Sequence, residues 1–388
     1  MRLLIISRKY PPSIGGMQEY TYQLIRHLAR QETVYQIARE VPRLLLPAFV
    51  VWAFVKSWRW IRKHAIQVIH VHDGVLAPLG LALKLLTRTP AVLTIHGMDI
   101  VYSNRFYQWL IPRCVRRLDR VVCISQATKR ECLRRGIPES RLRVIPFGVS
   151  EEFAQLQAQA GARQQVAQQY SLPTDKKILL SVGRLIERKG FHWFISEVMP
   201  RVLNTRQDVM YLLAGPGPME RTLRRLIQEK RLADYVKLLG GIRDRSVLAL
   251  LYNAADLFLM PNIPVNRQIE GFGFVVIEAA SCGLPVIASR LDGVQDAITD
   301  GKNGFLVEPL NANQFADTIL SLLDRRAALA SQVRRYTLQH YAWGQIVHQY
   351  RRQFLLVIER RRDPAVSNTS HTLAFILQYM EFVVKGEP

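Results

Sequence analysis

Short uninterrupted apolar runs, each closed by glycine or a polar residue and followed by a stretch with helical spacing, recur along the whole chain. RLLIIS, VIHVH, AVLTIHG, RVVCIS and LRVIPFG come in the first 150 residues, and KILLSVGR, VMYLLAG, VKLLGG, LFLMP and LPVIAS follow from Lys177 on. Runs of this length without in–out alternation are strands buried on both faces, and strands separated by helices build parallel sheets covered on both sides. Two such series predict an α/β chain with two doubly wound, Rossmann-like domains, and 388 residues suffice for two cores. The first domain is expected over 1–150 and the second over 178–345. The polar, Gln- and Ala-rich segment 151–177, which ends in a Pro turn, reads as a hinge.

An apolar content of 49% places the chain among globular proteins. The excess of 53 Lys and Arg over 31 Asp and Glu gives a formal charge of +22, so an anionic partner is expected: nucleic acid, phospholipid or a phosphorylated substrate. The four cysteines, Cys114, Cys123, Cys132 and Cys282, form no CxxC pair and read as reduced thiols. The apolar run after Arg2 is too short for a signal-peptide core and reads as a buried first strand, which makes the cytoplasm the expected location.

Ligands of open α/β sheets bind beyond the carboxyl ends of the strands. The residues just after the apolar runs are Gly15 and Gly16, His96, Ser125, Gly183 with Arg184, Gly215, and Glu270. Paired glycines ahead of a helix let backbone N–H groups approach a phosphate, although a tight turn needs them equally. His96 reads as an exposed polar position at a strand end. Arg184 and Lys189 in VGRLIERKG are two cations at a strand's carboxyl end that can clamp a diphosphate, or simply be solvated. LLAGPGPME lacks the third glycine of a dinucleotide fingerprint. In EGFGFVVIEAASCGLPVIAS a helix is expected from about Gly273 to Cys282, with Glu278 one turn inside it and Glu270 before the loop. No Asp-x-Asp pair occurs, so the usual carboxylate seat for a divalent metal carrying a nucleotide sugar is missing. Fixed cations and helix termini are left to neutralise a leaving diphosphate, and independence of metal is the expectation.

Taken in order, PPSIGGMQEYTYQLIRHLA, TIHG, DRVVCISQATKRECLRRGIPESRLRVIPFGV, SVGRLIERKG, LLAGPGP, EGFGFVVIEAASCGLPVIAS and DGVQDAITDGKNGFLV resemble the retaining glycosyltransferases of family 4, over residues 1 to about 360. The resemblance implies the GT-B fold, two Rossmann-like domains facing a central cleft. It also implies transfer from a nucleoside diphosphate sugar to a hydroxyl acceptor with retention of anomeric configuration. Carried over by motif, Arg184 and Lys189 meet the diphosphate and Glu278 the ribose. Glu270 touches the donor sugar hydroxyls beside the backbone of Gly271, Phe272, Gly273, Phe274 and Val275, Gly16 meets the phosphate from the N-terminal side, and His96 lines the sugar site. Gly15, Gly183 and Gly215 belong to the same donor loops, and Ser125 to the acceptor or sugar side. Segment 346–362 resembles the family's terminal helix, which crosses back to the first domain, and 363–388 is an additional apolar tail. Where the family has a clear second strand and a long loop, RQETVYQIAREVPRLLLP offers a short strand near Thr33 to Ala38.

The stretch RLLLPAFVVWAFVKSWRWIRKH has no charge from Leu44 to Val55 and then interleaves Trp58 and Trp60 with Lys56, Arg59, Arg62 and Lys63. It is shorter than the ~20 residues needed to span a bilayer and reads as an interfacial helix, or as a core helix with a basic end. A glycolipid, lipid-linked saccharide or cell-surface polysaccharide precursor is therefore the expected acceptor, met at the anionic inner face of the plasma membrane. Two readings stay open beside this one: a sugar-nucleotide epimerase of the same fold, and a basic nucleic-acid-binding protein, for which no zinc finger, RNA-binding motif or stacking platform is present.

Overall fold

The computed structural model describes residues 1–13, 15–155 and 161–362; the apolar tail 363–388 named above lies outside them. The chain divides into two compact units, one of Met1–Gly148 with the segment from Trp343 on, the other of Val149–Ala342.

In the first unit the order is β1 (Arg2–Ser7), α1 (Gly16–Leu28), β2 (Thr33–Ala38), α2 (Leu46–His64), β3 (Val68–His72), α3 (Ala77–Thr87), β4 (Ala91–Ile95), α4 (Arg105–Val115), β5 (Arg120–Cys123), α5 (Gln126–Arg134) and β6 (Leu142–Val144). The sheet is parallel throughout, in the order β2-β1-β3-β4-β5-β6. Every residue of β3, β4 and β5 is buried, as their uninterrupted apolar runs require. The direction of winding reverses between β1 and β3.

The second unit repeats the plan. After α6 (Ala162–Tyr170) come β7 (Lys177–Val182), β8 (Val209–Ala214), β9 (Val236–Gly240), α7 (Arg245–Ala254), β10 (Leu257–Met260), α8 (Phe274–Ser281), β11 (Val286–Ser289) and β12 (Phe305–Val307). Its six strands are parallel, in the order β12-β11-β10-β7-β8-β9, so the winding reverses between β7 and β10.

Segment 151–177, expected to be a hinge, instead carries a short helix, Glu151–Gln155, and α6. Phe153 is fully buried, Ala162, Val166 and Ala167 are buried, α6 packs on α7, and Arg163 pairs with Asp256 at 3.1 Å. Gln and Ala are good helix formers, and the polar composition belongs to the outward face of a packed helix.

The last described element, α9 (Trp343–Arg362), belongs to the first unit. Its residues Ile346, Val347, Tyr350, Phe354 and Val357 are buried at helical spacing. Tyr350 Oη lies 2.9 Å from Thr94 Oγ1 at the end of β4 and also pairs with Tyr20 Oη of α1. Arg351 Nε donates to Glu32 at 2.6 Å, and the Trp343 ring stacks on His27. The first unit's core is thus closed by residues more than 300 positions away from its first strand. Phe354→Ala is expected to cost about 3–5 kcal/mol of the first unit's unfolding free energy, read by urea denaturation; a cost below about 1 kcal/mol would show that α9 is not part of that core.

Candidate active site

In the second unit the loops after β7 and β10 leave the sheet side by side at the reversal of winding, the position where open α/β sheets take their ligands. The loop after β7 runs through Gly183 and Arg184 into a tight turn, Glu187–Lys189. It lies against the loop after β8: Leu185 N–H donates to Pro216 at 2.9 Å, and a Cβ on Gly215, whose φ is +146°, would stand 1.9 Å from the Gly183 carbonyl oxygen. Only glycine allows that approach. Arg184 is exposed and Lys189 is buried.

The loop after β10 carries Asn262 and Glu270. Lys189 Nζ pairs with Glu270 Oε2 at 2.9 Å, Arg188 Nε stands 3.5 Å from the same oxygen, and Asn262 Nδ2 donates to it at 3.3 Å. The Glu270 backbone is tied in turn, with its N–H donating to Asp292 at 3.1 Å and its carbonyl accepting from Gly293 at 3.0 Å. Burial pushes the Lys189 ammonium below its ordinary value; Glu270 pulls it back, and Arg188 and Arg184 oppose that pull. Burial alone would raise the Glu270 carboxyl, but Lys189 and Arg188 outweigh it and hold the group below the usual carboxylate range.

Gly271 and Phe272 lead from Glu270 to Gly273, which begins α8 in the left-handed region at φ +75°, so that Phe274 and Val275 form its first turn. Glu278 sits one turn further in and is buried. Its carboxylate accepts from Tyr252 Oη at 3.3 Å and pairs with Arg245 at 3.3 Å. Lys189 and Glu270, chosen separately from the sequence, are therefore in contact, with Arg184, Gly183 and Gly215 in the adjoining loops. Arg188, Asn262 and Asp292 were missed. Arg188 directly precedes Lys189, and Asn262 follows the apolar run LFLMP, the same position after a strand that selected the others. Asn262 is buried, and among the described residues its Oδ1 has no hydrogen-bond partner.

In the first unit, Gly15 and Gly16 open α1 at the end of the loop after β1. His96 is not exposed, as its place after a strand suggested, but buried, because Tyr20 packs edge-on against its ring at 5.1 Å and Phe147 lies beside both. Among the described residues neither of its ring nitrogens has a hydrogen-bond partner. Burial pushes the imidazole down to about 4, against a smaller opposing pull from Asp73, so it is neutral at physiological pH. The His96 N–H donates to Asp99 Oδ1 at 2.9 Å, while Asp99 Oδ2 accepts from Gly74 N–H at 3.0 Å. Burial and the charge of Asp73 push the Asp99 carboxyl up to about 7. Arg8 and Asp73 pair across the β1/β3 reversal, a contact no motif announced. Ser125 is buried and caps α5, its Oγ accepting from Thr128 N–H at 3.0 Å. The four cysteines are free, and among the described residues no group of three or more His, Cys, Asp or Glu is placed to hold a metal ion.

A family model described as Glycosyl transferases group 1 matches residues 162–340, and one described as Glycosyltransferase Family 4 matches residues 14–153. The chain belongs to glycosyltransferase family 4, and its two parallel α/β sheets are those of the GT-B fold. It is similar to the GDP-mannose-dependent alpha-(1-6)-phosphatidylinositol monomannoside mannosyltransferase of Mycolicibacterium smegmatis, 27% identical over 372 residues that cover 88% of this chain and 95% of that protein. In fold it is similar to sucrose-phosphate synthase from Thermosynechococcus elongatus, with a TM-score of 0.76, 24% identity, and 92% and 99% of the two chains covered. It is also similar in fold to Anabaena HepE in complex with UDP, with a TM-score of 0.75, 19% identity, and 92% and 100% covered.

Glu270→Gln would leave the buried Lys189 ammonium without its counter-charge, an expected cost on the order of 3 kcal/mol near neutral pH. Because the folded carboxyl lies below 4.5, its contribution is fully present above 4.5 and lost as pH falls through the lower folded value. Urea unfolding across that acid range is expected to show a shallower pH dependence in the variant, and parallel curves would deny the pair any part in stability.

Proposed function

We propose that the enzyme transfers a sugar from a nucleoside diphosphate sugar to a hydroxyl acceptor, with retention of anomeric configuration and without a metal ion. The observation that carries this reading is the pair of buried Lys189 with half-buried Glu270 at the β7/β10 reversal, with Arg188 and Arg184 beside it. Two cations, Arg184 and Lys189, take the diphosphate, and a preorganised donor such as Lys189 often makes the largest catalytic contribution, ~3–4 kcal/mol when well placed. Glu270, ionised because Lys189 and Arg188 hold its carboxyl low, accepts hydrogen bonds from donor sugar hydroxyls, with the backbone of Gly271–Val275 alongside. Glu278 receives the ribose hydroxyls, its orientation fixed by Tyr252 and Arg245. In the first unit, the family resemblance assigns Gly15 and Gly16 a phosphate-facing backbone, neutral His96 a sugar-facing ring and Ser125 an acceptor-side role.

In the reaction the bond from the anomeric carbon to the diphosphate oxygen breaks, and a bond from the acceptor oxygen forms on the same face. The acceptor's proton passes to the leaving phosphate oxygen, so Glu270 positions the sugar and is not a nucleophile. A glycolipid, lipid-linked saccharide or polysaccharide precursor is the acceptor class; the phosphatidylinositol mannoside named for the mycobacterial relative supports a lipid-linked one.

A panel of UDP-, GDP- and ADP-sugars with EDTA present tests the reading. One member at 100 times its dissociation constant is expected to add ~2.7 kcal/mol of stability, seen as a raised Tm. Lys189→Ala is expected to abolish that shift, and an unchanged shift would remove Lys189 from the donor site. Dependence of the shift on Mg or Mn would overturn metal independence. Conversion of the donor to an isomeric sugar nucleotide with no acceptor present, read by chromatography, would identify an epimerase instead.

A further inference from the structure

We infer that the outward face of α2, with the turn before it, is a docking surface for an anionic phospholipid bilayer. The helix seats Phe49, Val50, Ala53, Ser57 and Ile61 in the first unit's core, so one face is already committed. The other face divides along its length. Leu44 is 93% and Leu45 58% exposed, and Val51, Trp52 and Val55 are exposed as well, five large apolar side chains within twelve residues. Four cations, Lys56, Arg59, Arg62 and Lys63, follow in the second half, and Arg59, Arg62 and Lys63 are exposed.

No Asp or Glu occurs between Glu40 and Asp73. Among the described residues none of the four cations pairs with a carboxylate; Lys56 instead lies 4.7 Å from the Trp52 ring and 4.5 Å from Trp60, and Arg62 lies 4.3 Å from Trp58. Arg39 adds a further cation 5.0 Å from Trp52. Folding alone does not explain an uncharged half left in water beside a cationic half without counter-ions. A headgroup boundary satisfies both halves, with aliphatic and indole surface entering the acyl region and cations meeting lipid phosphates. Among the described residues no helix is long and apolar enough to cross a membrane. A nucleic-acid surface would use the cations and leave Leu44, Leu45, Val51 and Val55 without purpose. A protein partner would need carboxylates opposite Arg59, Arg62 and Lys63 together with an apolar groove, whereas a bilayer supplies both in any orientation about its normal.

The test is cosedimentation of the full chain with vesicles of pure phosphatidylcholine or of phosphatidylcholine with 30% phosphatidylglycerol, at low and at physiological salt. Preferential, salt-weakened binding to the anionic vesicles is expected. Arg59→Gln with Lys63→Gln, both solvent-facing, is expected to lower the partition coefficient about 30-fold, from ~1 kcal/mol per cation near the surface. Trp52→Ser with Val55→Ser should lower the binding that survives physiological salt, while Arg325→Gln with Arg335→Gln in the second unit leaves binding unchanged. Equal partition into both vesicles, binding to neither, or wild-type binding by both α2 variants would overturn the proposal. Tighter binding to RNA than to anionic vesicles, or self-association lost on Trp52→Ser/Val55→Ser in a chain that binds no vesicles, would overturn it as well. Unchanged thermal melts for each variant confirm that the fold is intact. Because the readout involves no donor, its failure leaves the catalytic reading untouched, and the reverse also holds.

Discussion

The pair between buried Lys189 and half-buried Glu270 is the interaction around which the second unit's candidate site is organised. Neither ion is accommodated alone at that depth, because taking one charge out of water costs several kcal/mol and the partner's field recovers the cost only at close range. The sheet order makes the close range possible. The strand before each residue, β7 and β10, is the other's neighbour at the point where winding reverses, so residues 81 positions apart leave the sheet side by side. Asp292 and Gly293 then grip the Glu270 backbone from a third loop, after β11. The carboxylate is therefore oriented before any ligand arrives, and its ordering cost falls on folding and not on binding.

The first unit solves the same topological problem with different chemistry. Its reversal, between β1 and β3, is spanned by Arg8 and Asp73, and the neighbouring strand end carries His96. The buried histidines His70, His72 and His96 are all pushed down by loss of solvent, so this end of the sheet holds polar groups without accumulating positive charge. Asp99 ties the His96 and Gly74 amides together and thereby fixes two adjacent loops.

Much of this was legible because parallel strands announce themselves by uninterrupted apolar runs. Each of the ten runs is a strand, and the expected short strand at Thr33–Ala38 is β2. Three-residue β12 is not among the runs: unlike equally short β6, which lies in the longer stretch LRVIPFG, its FLV stands alone, and Phe305 and Leu306 are only half-buried. In 151–177 the polar composition hides the buried spacing of Phe153, Val166 and Ala167, which packs two helices of this segment into the second unit. His96 was misjudged because a strand end looks solvent-facing until distant elements cover it: Tyr20 comes from α1 and Phe147 from beyond β6, and neither is adjacent in sequence. Pair contacts such as Arg188–Glu270 and Arg8–Asp73 depend on which strands become neighbours, which a local motif does not encode.

The basic excess takes on meaning only when its location is considered. Elsewhere in the described chain many cations face a carboxylate: Arg206 with Asp208 and Asp324, Arg290 with Asp300 and Glu308, Arg135 with Glu131. Such pairs contribute to net charge in a balanced way and need no partner beyond the chain. The α2 cations differ: among the described residues none pairs with a carboxylate, and Lys56 and Arg62 lie over indole rings, whose faces attract a cation without neutralising it. A cation held on a ring keeps its full charge available to an incoming phosphate, and the ring keeps its edge available to lipid. The same helix whose inner face closes the core against β1 thus presents its unbalanced charge outward, so fold and surface are specified by alternating positions of one segment.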